Sequence, residues 1–108
     1  MSDANKKKDF EPSLIGLDAV LSLKPTFYRM KDAEENSAKE LGFIAQEVKD
    51  VIPQAYVETN SEDANGNPYT FIGLNDRPIL AALTKAIQEQ QQMIEELKAE
   101  VAALKGAA

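Results

Sequence analysis

Hydrophobic and polar positions along this chain change rhythm several times, and the last rhythm is the most regular. Leu80, Ile87, Ile94 and Val101 fall at one seven-residue phase, while Leu83, Leu97 and Leu104 fall three residues later, with Gln90 interrupting the second series. Apolar side chains at the a and d positions of a heptad line one side of a helix and form the seam of a coiled coil. A helix of about 27 residues runs roughly 40 Å, which is longer than a small body needs to cover its own core. The stripe is therefore expected to bury against other copies of the chain. Leu80, Leu83, Ile87, Gln90, Ile94, Leu97, Val101 and Leu104 make up the expected oligomer interface.

Upstream the elements are shorter. From Ser13 to Leu23, Leu14, Leu17, Val20 and Leu21 repeat at helical spacing, and Pro25 stops the helix. Thr26 to Met30 reads as a strand, residues 31–40 as a charged loop, Leu41 to Ala45 as a short buried strand, and Gln46 to Ile52 as a helix ended by Pro53. Ala55 to Glu58 and Tyr69 to Ile72 read as an antiparallel pair, and Asn65-Gly66 is the expected site of positive φ in the turn between them. Asn75 or Asp76 can cap the long helix, and Pro78 is tolerated in its first turn, where backbone donors have no partner. The order predicts an α+β fold in three parts: a polar N-terminal arm (1–12), a small globular body of short helices and antiparallel strands (13–74), and a long coiled-coil helix (75–108).

Composition narrows the chemistry. The chain has 108 residues, no cysteine and no histidine. Disulfides, thiolate zinc sites and every histidine-based triad are excluded, so a reaction would have to run on Lys, Asp, Glu, Ser, Thr or Tyr. A net charge of -6 argues against nucleic acid, which is bound through clustered Lys and Arg. No apolar run approaches a membrane span and no signal peptide follows Met1, so neither membrane insertion nor export is expected. No metal or cofactor is expected either. Ser61, Asp63, Asn65, Gly66 and Asn67 sit where a calcium-binding EF-hand loop places its ligands, but position one is Ser and position twelve is Ile72 rather than Glu. An ordinary hairpin turn is the expected reading.

The heptads leave the number of chains open. Branched a positions with Leu at d lean towards a dimer, whereas Gln90 at d is either paired around the axis, penalising shifted registers, or a point where the coil loosens. Glu100 and Lys105 can pair between parallel chains. A lysine such as Lys7 could act as a base in a chain without histidine, but a lysine in water titrates near ~10.4. Desolvation or positive crowding would be needed to make it one.

Ser2-Asp3 with Lys7 five residues after the serine, then Leu17-Asp18-Ala19-Val20-Leu21 leading into Lys24-Pro25-Thr26-Phe27-Tyr28, resembles the start of the endosialidase-type intramolecular chaperone domain. Gly42-Phe43-Ile44-Ala45-Gln46-Glu47-Val48, ending at Ile52-Pro53, is similar to that family's most specific internal block, and the hairpin and Gln-rich terminal helix also fit. Such domains sit at the C-terminal ends of bacteriophage tail fibres, tailspikes and neck appendages.

The resemblance implies a homotrimeric chaperone that holds the upstream fibre segments in register while they fold in the bacterial host cytoplasm. It then implies release from the virion fibre by Ser/Lys autoproteolysis just before the serine. Carried over, Ser2 is the nucleophile, Lys7 its general base, and Asp3 a recurrent position. Asn5 stands where similar domains usually have Arg, so that Arg's contribution to charge stabilisation or packing is missing unless Lys6 replaces it. Five residues apart, Ser2 and Lys7 would lie about 140° apart on a helix and on opposite faces of a strand. Either Ala4 and Asn5 turn the chain or the two residues come from different subunits. In both cases packing in the oligomer is expected to desolvate Lys7, so that assembly gates cleavage. With only Met1 ahead of Ser2, this chain is expected to be the released product. A non-cleaving oligomerisation cap and a coiled-coil adaptor for a foreign helix are the competing expectations.

Overall fold

In the computed structural model, residues 2–107 are described. A 3-10 turn (Ala4–Lys6) in the arm is followed by α1 (Leu17–Leu21), β1 (Thr26–Tyr28), β2 (Glu40–Gly42) and α2 (Ala45–Val51). A second 3-10 turn (Pro53–Ala55), β3 (Tyr56–Glu62), β4 (Pro68–Leu74) and α3 (Asp76–Gly106) complete the order. The strands form two separate antiparallel ribbons, β1 with β2 and β3 with β4. Helices, antiparallel strands and a long C-terminal helix follow in the expected sequence, but several boundaries move.

The helix expected from Ser13 is cut to its second half. The Ser13 hydroxyl accepts the Ile15 N–H at 3.0 Å and donates to the Ile15 carbonyl at 3.2 Å, a local bond that competes with helix. Gly16 then lies flush against α3: a Cβ there would stand 2.6 Å from Lys85 Cγ and closer still to the Glu89 carboxylate. Only from Leu17 does the chain coil, its first free N–H donating to Glu89 Oε1 at 3.2 Å. Leu14, counted among the helical apolar residues, is 97% exposed.

The second ribbon is longer than the apolar pattern suggests, because polar residues Asn60, Ser61 and Glu62 extend β3 opposite Thr70, Tyr69 and Pro68. Thr70 donates from its hydroxyl to the Asn60 side chain across the pair at 3.0 Å. Ala55, expected to open this strand, is instead fully buried in the 3-10 turn. Gly66 takes φ 79, the left-handed conformation expected at the tip. Ser61 and Ile72 lie within paired strands, so the stretch resembling a calcium loop is a hairpin.

The core is small. Val48, Ile52 and Ala55 pack with Ile79 and Ala82, ringed by Ile15, Val20, Leu23, Phe43 and Leu74. Two of the five central residues therefore come from the first turns of α3, and the body closes only against that helix. Asn75 caps α3 by accepting the Arg77 N–H at 3.2 Å, and Pro78 sits in the first turn. With 31 residues α3 is about 46 Å long, and from Gln90 to Gly106 every residue is exposed.

The molecule is consequently elongated, 76 × 46 × 22 Å with a radius of gyration of 20.6 Å, against about 13 Å for a compact domain of this length. Its accessible surface is 9148 Å², where a compact monomer of this mass exposes about 6,000 Å².

Candidate functional site

Ser2, Asp3 and Lys7 all belong to the arm, and all three are exposed. Asp3 organises the arm locally. Its carboxylate accepts the Asn5 N–H at 2.9 Å and its carbonyl accepts the Lys6 N–H at 3.0 Å, while the Lys7 N–H reaches the Ala4 carbonyl at 3.2 Å. A short polar side chain ahead of a turn satisfies donors that would otherwise be left open, which is why Asp suits this place. Ala4 and Asn5 thus lie in a turn between Ser2 and Lys7. Beyond it Asp9 adopts φ 57, a left-handed conformation that Asp tolerates better than most residues. None of residues 2–14 is buried, so this single chain provides Lys7 with no apolar enclosure.

The second candidate surface is the stripe on α3. Leu80, Ile87, Leu97 and Leu104 are between 58% and 73% exposed, Leu83, Ile94 and Val101 between 37% and 49%, and Gln90 is exposed as well. The residues that α3 buries are Ile79, Ala82 and Ala86. The helix therefore presents two stripes: a small one that completes the core of its own body, and a long a/d seam that nothing in the chain covers. The a/d positions are the ones that heptad phase led us to expect at an interface with other copies, whereas the stripe of Ile79, Ala82 and Ala86 was not foreseen.

Sequence reasoning missed the clasp that ties the arm's root to α3. Glu89 caps α1 across 72 positions of sequence, a separation over which no local pattern speaks; the glycine before α1 was the only visible hint. It also missed the apolar residues left on the body's surface, among them the cross-strand partners Phe27 and Leu41, each 65% exposed. Among the described residues, no helix is long and apolar enough to cross a membrane.

The described residues thus combine a small body, a heptad seam that nothing in the chain covers and an exposed N-terminal arm held in a local turn. Residues 2–56 match the family Peptidase_S74, chaperone of endosialidase, and the chain belongs to that family. Over 102 residues it is 29% identical to the long tail fiber protein Gp37 of Enterobacteria phage K3, covering 93% of this chain and 8% of that protein. It is equally similar, 29% over 102 residues, to the long tail fiber protein Gp37 of Enterobacteria phage T2, of which it spans 7%. The chain thus corresponds to less than a tenth of the length of these relatives.

Proposed function

We propose that this chain is an intramolecular chaperone for a phage fibre. Three copies associate through the α3 seam, align the fibre segments that precede them while those segments fold, and are then released by self-cleavage just before Ser2. The three-part division carries the roles: the arm (1–12) bears the cleavage site, the body (13–74) positions it, and the helix (75–108) sets the number of chains. The setting is the host cytoplasm during virion assembly, with the chaperone attached to the fibre only until scission.

The observation that carries the reading is the family match, which begins at Ser2 and runs through the arm into the body; the tail fiber relatives support the fibre as client. In the cleavage step, the Ser2 hydroxyl attacks the carbonyl of the preceding residue while Lys7 accepts the hydroxyl proton. The peptide C–N bond breaks as the proton passes to the Ser2 amine, and water then hydrolyses the ester to free the upstream carboxylate. Lys7 can act as the base where it is desolvated or crowded by positive charge; the arm's exposure in the single chain makes association our proposed source of the desolvation. Asp3 holds the turn between the two residues.

In a precursor carrying fibre sequence ahead of Ser2, Ser2→Ala is expected to leave one uncut band on a denaturing gel where the unsubstituted precursor gives two. Lys7→Met should do the same while leaving the oligomer intact. An unsubstituted trimeric precursor that stays whole would overturn self-cleavage and leave a permanent oligomerisation cap.

A further inference from the structure

Of the eight side chains in the a/d seam only Gln90 is polar, and its own helix offers it no polar company. The residues three and four positions away, where side chains on a helix meet, are Ala86, Ile87, Met93 and Ile94. Gln91 and Gln92, which lie off the seam, are served differently: their amides donate to Glu95 and Glu96 at 3.4 and 3.5 Å. Gln90 stands exposed in the single chain. Covering the seam therefore strips water from an amide for which the helix holds no side-chain replacement, and an amide left in that state is costly.

The apolar positions alone do not tell one direction of packing from the other. In a parallel assembly each seam residue meets its own copy, Leu80 with Leu80 and Leu104 with Leu104. Turned end for end at full overlap, a positions face d positions: Leu80 meets Leu104, Leu83 meets Val101, Ile87 meets Leu97, and Gln90 meets Ile94. Every layer survives in both directions, and only Gln90 changes from polar to apolar company. Parallel chains bring identical amides to one level, where each carries donors and an acceptor for the next. Reversed chains set each amide against isoleucine. The charged flanks add one parallel contact, Glu100 with Lys105 of a neighbour, and an exposed pair of that kind contributes little.

Resting on the reading that α3 brings copies together, we propose that Gln90 selects the parallel arrangement. The amides of neighbouring copies bond one another around the axis, and the reversed packing is rejected because it buries them unpaired. The partner on the seam is a second copy of this chain: matched to itself in one direction, the seam brings an amide to the level of Gln90 and apolar side chains to every other level. Direction matters to the proposed function. Parallel helices gather every body and every arm at one end, where the preceding segments have to start together, whereas a reversed helix carries its arm to the far end of the rod.

The chain has no native cysteine, so direction can be read from disulfides. Leu80→Cys and Leu104→Cys chains bearing different tags are refolded together from urea, oxidised and run on a non-reducing denaturing gel, with the native mass measured alongside. Disulfides between like chains are expected and mixed-tag product should be nearly absent. The two positions lie about 36 Å apart along parallel helices, and a disulfide joins Cα atoms no more than about 7 Å apart. Adding Gln90→Leu to both chains should raise the mixed-tag product about tenfold or more, while Gln90→Asn, which keeps the amide, should leave it near the starting level. If Leu80→Cys weakens assembly, Leu83→Cys with Val101→Cys reports the same reversal. No gain with Gln90→Leu, or an equal gain with Gln90→Asn, overturns selection by the Gln90 amide and leaves the proposed function standing. Mixed-tag product as the main species from chains that keep Gln90, or chains that never associate, overturns both.

Discussion

Asp63 closes the β3–β4 turn with one carboxylate oxygen, which accepts the Asn65 N–H at 2.8 Å and the Asn67 N–H at 2.9 Å. The Asn67 bond, followed by the Asn65 bond, holds its pKa below the usual carboxylate value, because both favour the charged form. A lowered native pKa means that the contribution is fully present above the unfolded value of about 3.9 and is lost as pH falls through the lower native value. The Asn65 and Asn67 amide resonances are expected to shift together in that acid window. Asp63→Asn keeps the acceptor and should abolish the inflection. In the arm Asp3 caps a turn by accepting the Asn5 N–H, and there the sequence offered only the residue type. Its capping bond depends on a turn that spacing left as one of two possibilities.

Between elements the decisive contact is that of α1 with α3. Gly16→Ala would drive a methyl group into Lys85 and displace the Glu89 carboxylate from the Leu17 N–H. Loss of one charge-assisted hydrogen bond of this kind costs about 1.5–3 kcal/mol, a large share of a marginal body's stability. The urea midpoint of Gly16→Ala is expected to fall accordingly, and Glu89→Ala should lower it by a similar amount.

This scale also shows what could be read in advance. The long helix was legible because its heptads repeat over many turns, and α2 because Pro53 ends it. The α1 boundary was not: Leu14 fits the helical period, but the Ser13 bond and the close approach of Gly16 to a helix far along the sequence override it. The strand ends were missed because Asn60, Ser61 and Glu62 are polar, and it is a turn closed by Asp63 and Gly66 that carries them into the ladder. For the candidate site, the arm residues could be named from resemblance. Their surroundings could not, since nothing within one chain encloses them.

Taken whole, the molecule is a small α+β body fixed to one end of a rod. Seven residues among those described make up its buried hydrophobic core, three of them from α3, while the rod's a/d seam stands in water. Large exposed apolar surfaces are not the habit of monomers, and the proposed burial of the seam between copies would cover this one. The proposed chaperone acts at this scale, because a rod that fixes how many chains meet also fixes how many fibre segments start folding together.

Sedimentation equilibrium of the purified chain at micromolar concentration tests this most directly. The account predicts a single species of three times 11.9 kDa, stable to dilution and lost when Ile87 and Ile94 are replaced by Lys. A species of one chain's mass, unchanged as concentration rises, would contradict it.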